Sequence, residues 1–191
     1  MGLIVIHPHP TLHNKAARGL WLLVWTLLFR PSPTPLFWWR RFLLRLFGAE
    51  VGEGAHPYPS ARIWAPWNLV MKAESCLASG VDCYSVDKIV LGRDAVVSQR
   101  AFLCTATHGH REAGFQLMTG PVVICENAWV AAEAYIGPGV TVGAGAVVGA
   151  RAVIVRDVPP GATVVGNPAR LIARKKEPAG AVVPMPNAQA R

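Results

Sequence analysis

Stepping by six from Ile124 meets Val130, Ile136, Val142, Val148 and Ile154, an unbroken column of β-branched aliphatic residues. With Ile, Leu and Val at about a third of positions in so apolar a chain, six successive hits arise by chance on the order of once in a thousand. A second column runs two residues ahead of the first: Ala128, Ala134, Val140, Ala146, Ala152 and Val158. Gly follows the aliphatic at Gly137, Gly143 and Gly149. An α-helix cannot carry this pattern, because six residues rotate by about 600° and the column would wander around the axis. Antiparallel sandwiches need turn signals about 8–12 residues apart, and these are closer. A solenoid accounts for it. Each hexad forms one short strand and one corner, and three hexads close a triangular coil. The aliphatic residue points into the prism, the small residue sits near the corner, and Gly or Asn makes the turn.

The period persists upstream in other registers. Leu91, Val97 and Leu103 form one stretch, with Ala95 and Ala101 in the small column. Val51, Ile63 and Leu69 form another, interrupted at Pro57. The register shifts predict insertions at about residues 75 to 90 and 104 to 123, and loops leaving a regular scaffold are where function usually sits. The expected fold is mainly β: a left-handed parallel β-helix over 51–172, an N-terminal helical segment over 1–50, and a basic then flexible tail over 173–191.

Residues 1–50 have a different texture. The run W-L-L-V-W-T-L-L-F, Trp21 to Phe29, is apolar on every side, and Pro31, Pro33 and Pro35 follow it. Phe37 to Phe47 then sets Arg40, Arg41 and Arg45 among Trp, Leu and Phe. The first run falls short of the ~20 residues that span a bilayer. Two short helices are expected, covering the open end of the β-helix, attaching to a membrane surface, or both. No secretory leader is expected from residues 1–13, where Pro and His break up any apolar run.

Lys and Arg number 19 against 11 Asp and Glu, a net charge of +8, which suits an anionic partner. Nucleic acid is disfavoured, because basic residues interleaved with exposed aromatics are missing from the repeat region. The four cysteines, Cys76, Cys83, Cys104 and Cys125, lack C-x-x-C spacing, and reduced thiols in the cytoplasm are the simplest reading.

The hexads, together with D-V-P-P-G-A-T-V-V-G-N-P-A-R-L-I at 157–172 and W-V-A-A-E-A-Y-I-G-P-G-V-T-V-G at 129–143, resemble the hexapeptide-repeat acyltransferases and their sugar O-acetyltransferase branch. F-W-W-R-R-F-L-L-R-L-F-G-A, S-A-R-I-W-A-P-W-N-L and V-D-C-Y-S-V-D-K-I narrow the resemblance to the colanic-acid-biosynthesis acetyltransferases. It covers all but the first dozen or so and last fifteen or so residues. It implies transfer of acetyl from acetyl-CoA to a sugar hydroxyl, with no metal cofactor, in exopolysaccharide biosynthesis. A homotrimer follows from it, with active sites between subunits.

By the same resemblance, His108 in C-T-A-T-H-G-H is the general base, and His110 is its rival or an acceptor-binding residue. Many relatives read T-H-D, whereas Gly109 stands here, so the group that orients the imidazole must lie elsewhere. Trp129, Ala132, Gly149 and Ala150 match the donor groove, Gly149 keeping it open. Arg156, Arg170, Arg174 and Lys175 lie near the end of the stack, where they suit the phosphates of coenzyme A or form a solvated basic face. Tyr84 and Asp87 are candidates for sugar hydroxyls, with Trp67 and Asn68 weaker ones. Each of these also suits a turn or a packed corner. A metal site from His108, His110 and His56 is possible by residue type but lacks a closed ligand set. Two other functions remain open: a non-catalytic β-helix scaffold or binding protein, and an N-acetyltransferase acting on an amino sugar. If the acceptor is lipid-linked, the enzyme would work at the inner face of the membrane.

Overall fold

The computed structural model describes residues 5–6, 11–109 and 115–174. Residues 50–165 wind into a left-handed parallel β-helix whose triangular coils present three sheets. The first face stacks Glu50–Val51, Leu69–Met71, Ile89–Leu91, Val122–Ile124 and Thr141–Val142. The second runs from His56–Pro57 to Ala162–Val165, where the Arg170–Arg174 strand folds back antiparallel. The third runs from Arg62–Ile63 to Val153–Ile154.

The prism is filled by three columns. On the first face Val51, Met71, Leu91, Ile124 and Val142 lie in register. On the second are Pro57, Leu77, Val97, Val130, Val148 and Val164. On the third are Ile63, Cys83, Leu103, Ile136 and Ile154. All are buried, as are the alanines two residues ahead, Ala128, Ala134, Ala146 and Ala152 among them. The predicted division of labour between the aliphatic and small columns is the observed one.

Two details of the sequence reading change. Pro57 does not interrupt the repeat, for it fills the aliphatic column opposite Leu77. The amides of His56 and Tyr58 donate to the second coil, so the nitrogen of the residue between them faces the open end, where no ladder bond is lost. The insertions also fall differently. Ile63 to Met71 and Cys83 to Leu91 are both eight residues instead of six, so two corners on one edge are enlarged. The Pro66–Asn68 turn makes the first of them, and Met71, in place of Leu69, aligns with Val51. The long excursion between Leu103 and Ile124 lies where it was expected.

Helices α1 (Leu12–Val24, continued by a π-helical turn over Trp25–Phe29) and α2 (Phe37–Leu46) close the N-terminal end. In this solenoid each coil donates N–H groups to the next coil's carbonyls, which leaves a set of first-coil carbonyls facing outward. Side chains of the helices satisfy five of them. Arg45 donates to Val51 O, Arg41 to Ala55 O and Arg40 to Pro57 O, at 2.9, 2.9 and 2.7 Å. The indoles of Trp25 and Trp21 donate to Ala61 O and Ile63 O at 2.9 and 2.7 Å. Buried polar groups must be paired, and a strand edge must be covered, so this cap lets the prism start where it does. At the other end, strand Arg170–Arg174 runs two residues past the expected boundary at 172. The expected flexible tail lies outside the described residues.

Candidate active site

The third sheet's Phe102–Cys104 strand leads into the excursion, which is a β-hairpin. Ala106–His108 pairs antiparallel with Leu117–Thr119, and Val5–Ile6 adds a third strand beside Thr119 and Met118. The root of the hairpin is pinned to the enlarged corner at 84–90. The buried Thr105 hydroxyl donates to Tyr84 O at 2.7 Å and accepts from Asp87 N at 2.9 Å. The Asp87 carboxylate accepts from Thr119 Oγ1 at 3.2 Å and from Lys88 N at 2.6 Å. Asp87 therefore holds the two hairpin strands to the solenoid and sits at the foot of the arm that carries His108.

His108 stands on the exposed face of the hairpin. Its ring stacks on Phe115, with centroids 4.5 Å apart and planes 8° from parallel. Its Nδ1 lies 3.2 Å from the Phe115 carbonyl oxygen. A carbonyl only accepts, so this contact assigns the proton to Nδ1 and leaves the lone pair on Nε2. Phe115 thus fixes the imidazole through both its ring and its carbonyl. It adopts a left-handed backbone conformation, φ 47°, which turns its carbonyl back to the imidazole across the hairpin. Nothing local marks Phe115, because it meets His108 only once the hairpin has formed. His110 lies outside the described residues.

Tyr84 packs edge-on against Trp64 at 5.1 Å, on the outer surface of the third face. Asn68 donates through Nδ2 to Ser85 O and Val86 O at 3.0 and 2.9 Å, holding the same corner that carries Asp87. Trp67 lies beside Gly48, at the junction of cap and solenoid. His56 is edge-on to Phe37 of α2, 4.8 Å away. Among the described residues no three His, Cys, Asp or Glu cluster as metal ligands would.

The residues matched to the donor lie elsewhere on the prism. Trp129, half exposed on the second face, donates its indole N–H to Ser98 Oγ at 2.8 Å. Ala132 sits at the corner between the second and third faces, and its carbonyl accepts from Arg151 N at 3.0 Å. Glu133 beside it binds both Arg100 and Arg151 in a ladder up this corner. The hydrogen bond from Arg151 and then the Arg100 charge hold its carboxyl below the ordinary glutamate range. Ala150 is exposed one coil further on. Gly149 has a packing role of its own: a methyl there would come 2.6 Å from Val165 Cγ1. Arg156 and Arg170 come together at the C-terminal end, lining a cavity of about 570 Å³ between the 153–158 and 164–170 segments. Arg174 closes the last strand, and Lys175 is outside the described residues.

A stack of hexad coils bearing a histidine on a pinned arm defines the class of hexapeptide-repeat proteins, and the comparisons narrow it. The family model described as bacterial transferase hexapeptide (six repeats) matches residues 121–156. The protein designated colanic acid biosynthesis acetyltransferase WcaF of Escherichia coli (strain K12) is 39% identical over 164 residues, 86% of this chain and 90% of the relative. The chain belongs to the hexapeptide-repeat acetyltransferases. Among solved structures, a maltose O-acetyltransferase from Clostridium difficile 630 superposes with a TM-score of 0.72 at 25% identity, covering 85% of this chain and 88% of that one. The hexapeptide-repeat acetyltransferase VCA0836 of Vibrio cholerae, complexed with acetyl coenzyme A, has the same fold. Its TM-score is 0.78 at 23% identity, covering 89% of this chain and 93% of that one.

Proposed function

We propose that this acetyltransferase moves the acetyl group of acetyl-CoA to a sugar hydroxyl, in the assembly of an exopolysaccharide. The observation that carries the chemistry is the bond from His108 Nδ1 to the Phe115 carbonyl, which leaves Nε2 free to act as a base. Nε2 takes the proton of the sugar hydroxyl as its oxygen attacks the thioester carbon. The tetrahedral oxyanion then collapses, expelling the coenzyme A thiolate, and the imidazolium returns its proton to that sulfur. Backbone N–H groups of a coil edge are the donors we assign to the oxyanion.

The acceptor would lie over the foot of the hairpin, within reach of Tyr84, Asp87 and His110. The pantetheine arm would follow the coil edge past Trp129, Ala132, Gly149 and Ala150. Arg156, Arg170 and Arg174 would receive the phosphates. His108 stands on the hairpin that leaves the third face of the prism, and Trp129 on the second face. We therefore place the reaction between subunits of a homotrimer, one copy supplying the arm and its neighbour the donor edge. We propose a cytoplasmic protein working at the inner face of the membrane, where acetyl-CoA and lipid-linked sugars both occur; all four cysteines are free thiols.

The test is thiol release from acetyl-CoA with a panel of sugars and nucleotide sugars, followed by alkaline hydroxylamine treatment of the product. Sugar-dependent release and a hydroxylamine-labile acetyl group are expected for an ester. A stable product would mean an amide and an amino-sugar acceptor. A mass corresponding to a monomer under assay conditions would contradict the shared site.

A further inference from the structure

The N-terminal cap is apolar on its inner face, as a cap must be, and also on its outer face. Trp21 and Phe29 are buried against the solenoid, whereas Leu12, Leu20, Leu23 and Leu27 are each more than half exposed. At about 100° per residue Leu12, Leu20 and Leu23 of α1 fall within an arc of about 80°, on the side away from Trp21. Helix α2 repeats the pattern with Trp38, Phe42 and Leu46, each half or more exposed. The two outward faces adjoin, since the Trp39 indole donates to Leu28 O at 3.0 Å. The result is one apolar surface across both helices, larger than scattered surface residues would give.

Charge indicates what covers it. The first 49 residues hold six Lys and Arg and no Asp or Glu. Arg40, Arg41 and Arg45 spend their hydrogen bonds on neutral carbonyls, so no carboxylate offsets them within the cap. Lys15 lies on the flank of the leucine stripe and Arg18 on the solenoid side of α1; with Arg62, Trp25 and Trp64 they surround a cavity of about 220 Å³. Arg18 stacks over the Trp64 ring at 4.6 Å and donates through Nε to Asn14 Oδ1 at 3.0 Å. No helix among the described residues is long and apolar enough to cross a membrane. An apolar face bordered by uncompensated cations fits the headgroup–acyl boundary of an anionic bilayer, into which such helices sink about 5–10 Å.

We infer that the cap is a membrane-docking surface: α1 and α2 lie in the plane of an anionic leaflet, the leucine stripe and Trp38 entering the lipid. Lys15 holds lipid phosphate beside the leucine stripe. Arg41 and Arg45, which help close the first coil, thereby also charge the docking face. This inference concerns attachment and stands whichever acceptor group is acetylated.

The experiment is co-sedimentation of the full chain with vesicles of phosphatidylcholine, alone or mixed with phosphatidylglycerol. Binding is expected only to the mixed vesicles and is expected to weaken as salt rises. The triple variant Leu20→Ser, Leu23→Ser, Leu27→Ser is expected to lose at least about tenfold in partitioning. Lys15→Gln is expected to lose about fivefold. Acetyl transfer to a soluble acceptor by the leucine variant should match wild type, which keeps a folding defect or a wrong acceptor from imitating the result. Three outcomes overturn the inference: no binding to mixed vesicles, equal binding to both kinds, or a change of oligomeric mass in the leucine variant. The last would mean that another copy of the chain covers the stripe.

Discussion

Arg40 is the sharpest test of how the β-helix begins. It is fully buried, and its guanidinium donates to Pro57 O at 2.7 Å, Ser32 Oγ at 2.8 Å, Pro33 O at 2.9 Å and Thr34 O at 2.5 Å. Arg40→Met keeps most of the side-chain volume and removes every donor. The Pro57 carbonyl is then stranded in a buried place, at about 1–3 kcal/mol. The Pro33 and Thr34 carbonyls, which are only part-buried, lose about 0.5–1.5 kcal/mol each. Against these stands relief from burying a cation that faces no carboxylate, a penalty of several kcal/mol per ion at most. What the substitution strands is neutral, so the net loss should be modest, about 2–3 kcal/mol. For a chain of this length that is a fall in melting temperature of roughly 4–12 °C. Because solenoid coils lean only on their neighbours, the loss should show as fraying from the N-terminal end. Hydrogen exchange should speed up at the amides of α2 and of the 50–63 coil, and stay unchanged at 140–155. Arg40→Lys should do nearly as badly, since an ammonium cannot span four acceptors set out for a planar fork. If Arg40→Met is as stable as wild type and leaves α2 exchange unaltered, apolar packing alone holds the cap and the argument fails.

A methyl on Gly92 would lie 2.4 Å from Glu126 N, while nothing stands within 4 Å of one on Gly145, whose φ is +63°. Gly92→Ala should therefore cost about 1–3 kcal/mol or more by overpacking and Gly145→Ala about 1 kcal/mol by backbone strain, and thermal melts that reverse this order would contradict the stacking. The Glu133 carboxyl is held low chiefly by its hydrogen bond to Arg151, so its contribution is present above the ordinary glutamate range and is lost as pH falls through the depressed value. The difference in melting temperature between wild type and Glu133→Gln should accordingly close in acid; a difference independent of pH would exclude the ion-pair ladder. Burial, and secondarily Asp82, pushes the Cys83 thiol far above the usual cysteine range. A thiol reagent should reach Cys83 only on unfolding, and labelling in the native protein at the rate of the partly exposed Cys76 or Cys125 would show an open prism.

The solenoid was legible wherever the hexad runs unbroken, because inward-facing positions recur at fixed spacing and tolerate little but aliphatic residues. Pro57 misled because the rule against proline in a strand concerns a donor that the ladder needs, and at the first coil that position has no preceding coil to pair with. The enlarged corner before Met71 was hidden for a related reason. Leu69 and Met71 both face inward, so the aliphatic signal continues through an insertion of two. At the proposed site, the family resemblance and its place in the long excursion singled out His108, but its contact with Phe115 could not be read. Phe115 meets it only through pairing of Ala106–His108 with Leu117–Thr119. The cap arginines were visible as a basic helix, yet their acceptors are carbonyls 6 to 17 residues away that point outward only after the first coil has closed.

The central claim is that Nε2 of His108, with its tautomer set by the Phe115 carbonyl, removes the proton from the acceptor hydroxyl. The most direct measurement is steady-state kinetics of His108→Ala beside wild type, with acetyl-CoA and the best acceptor found. The account predicts that kcat falls by about 10²–10⁴, while KM for acetyl-CoA stays near its wild-type value. A variant that keeps kcat within a few-fold of wild type would contradict the claim and remove His108 as the base.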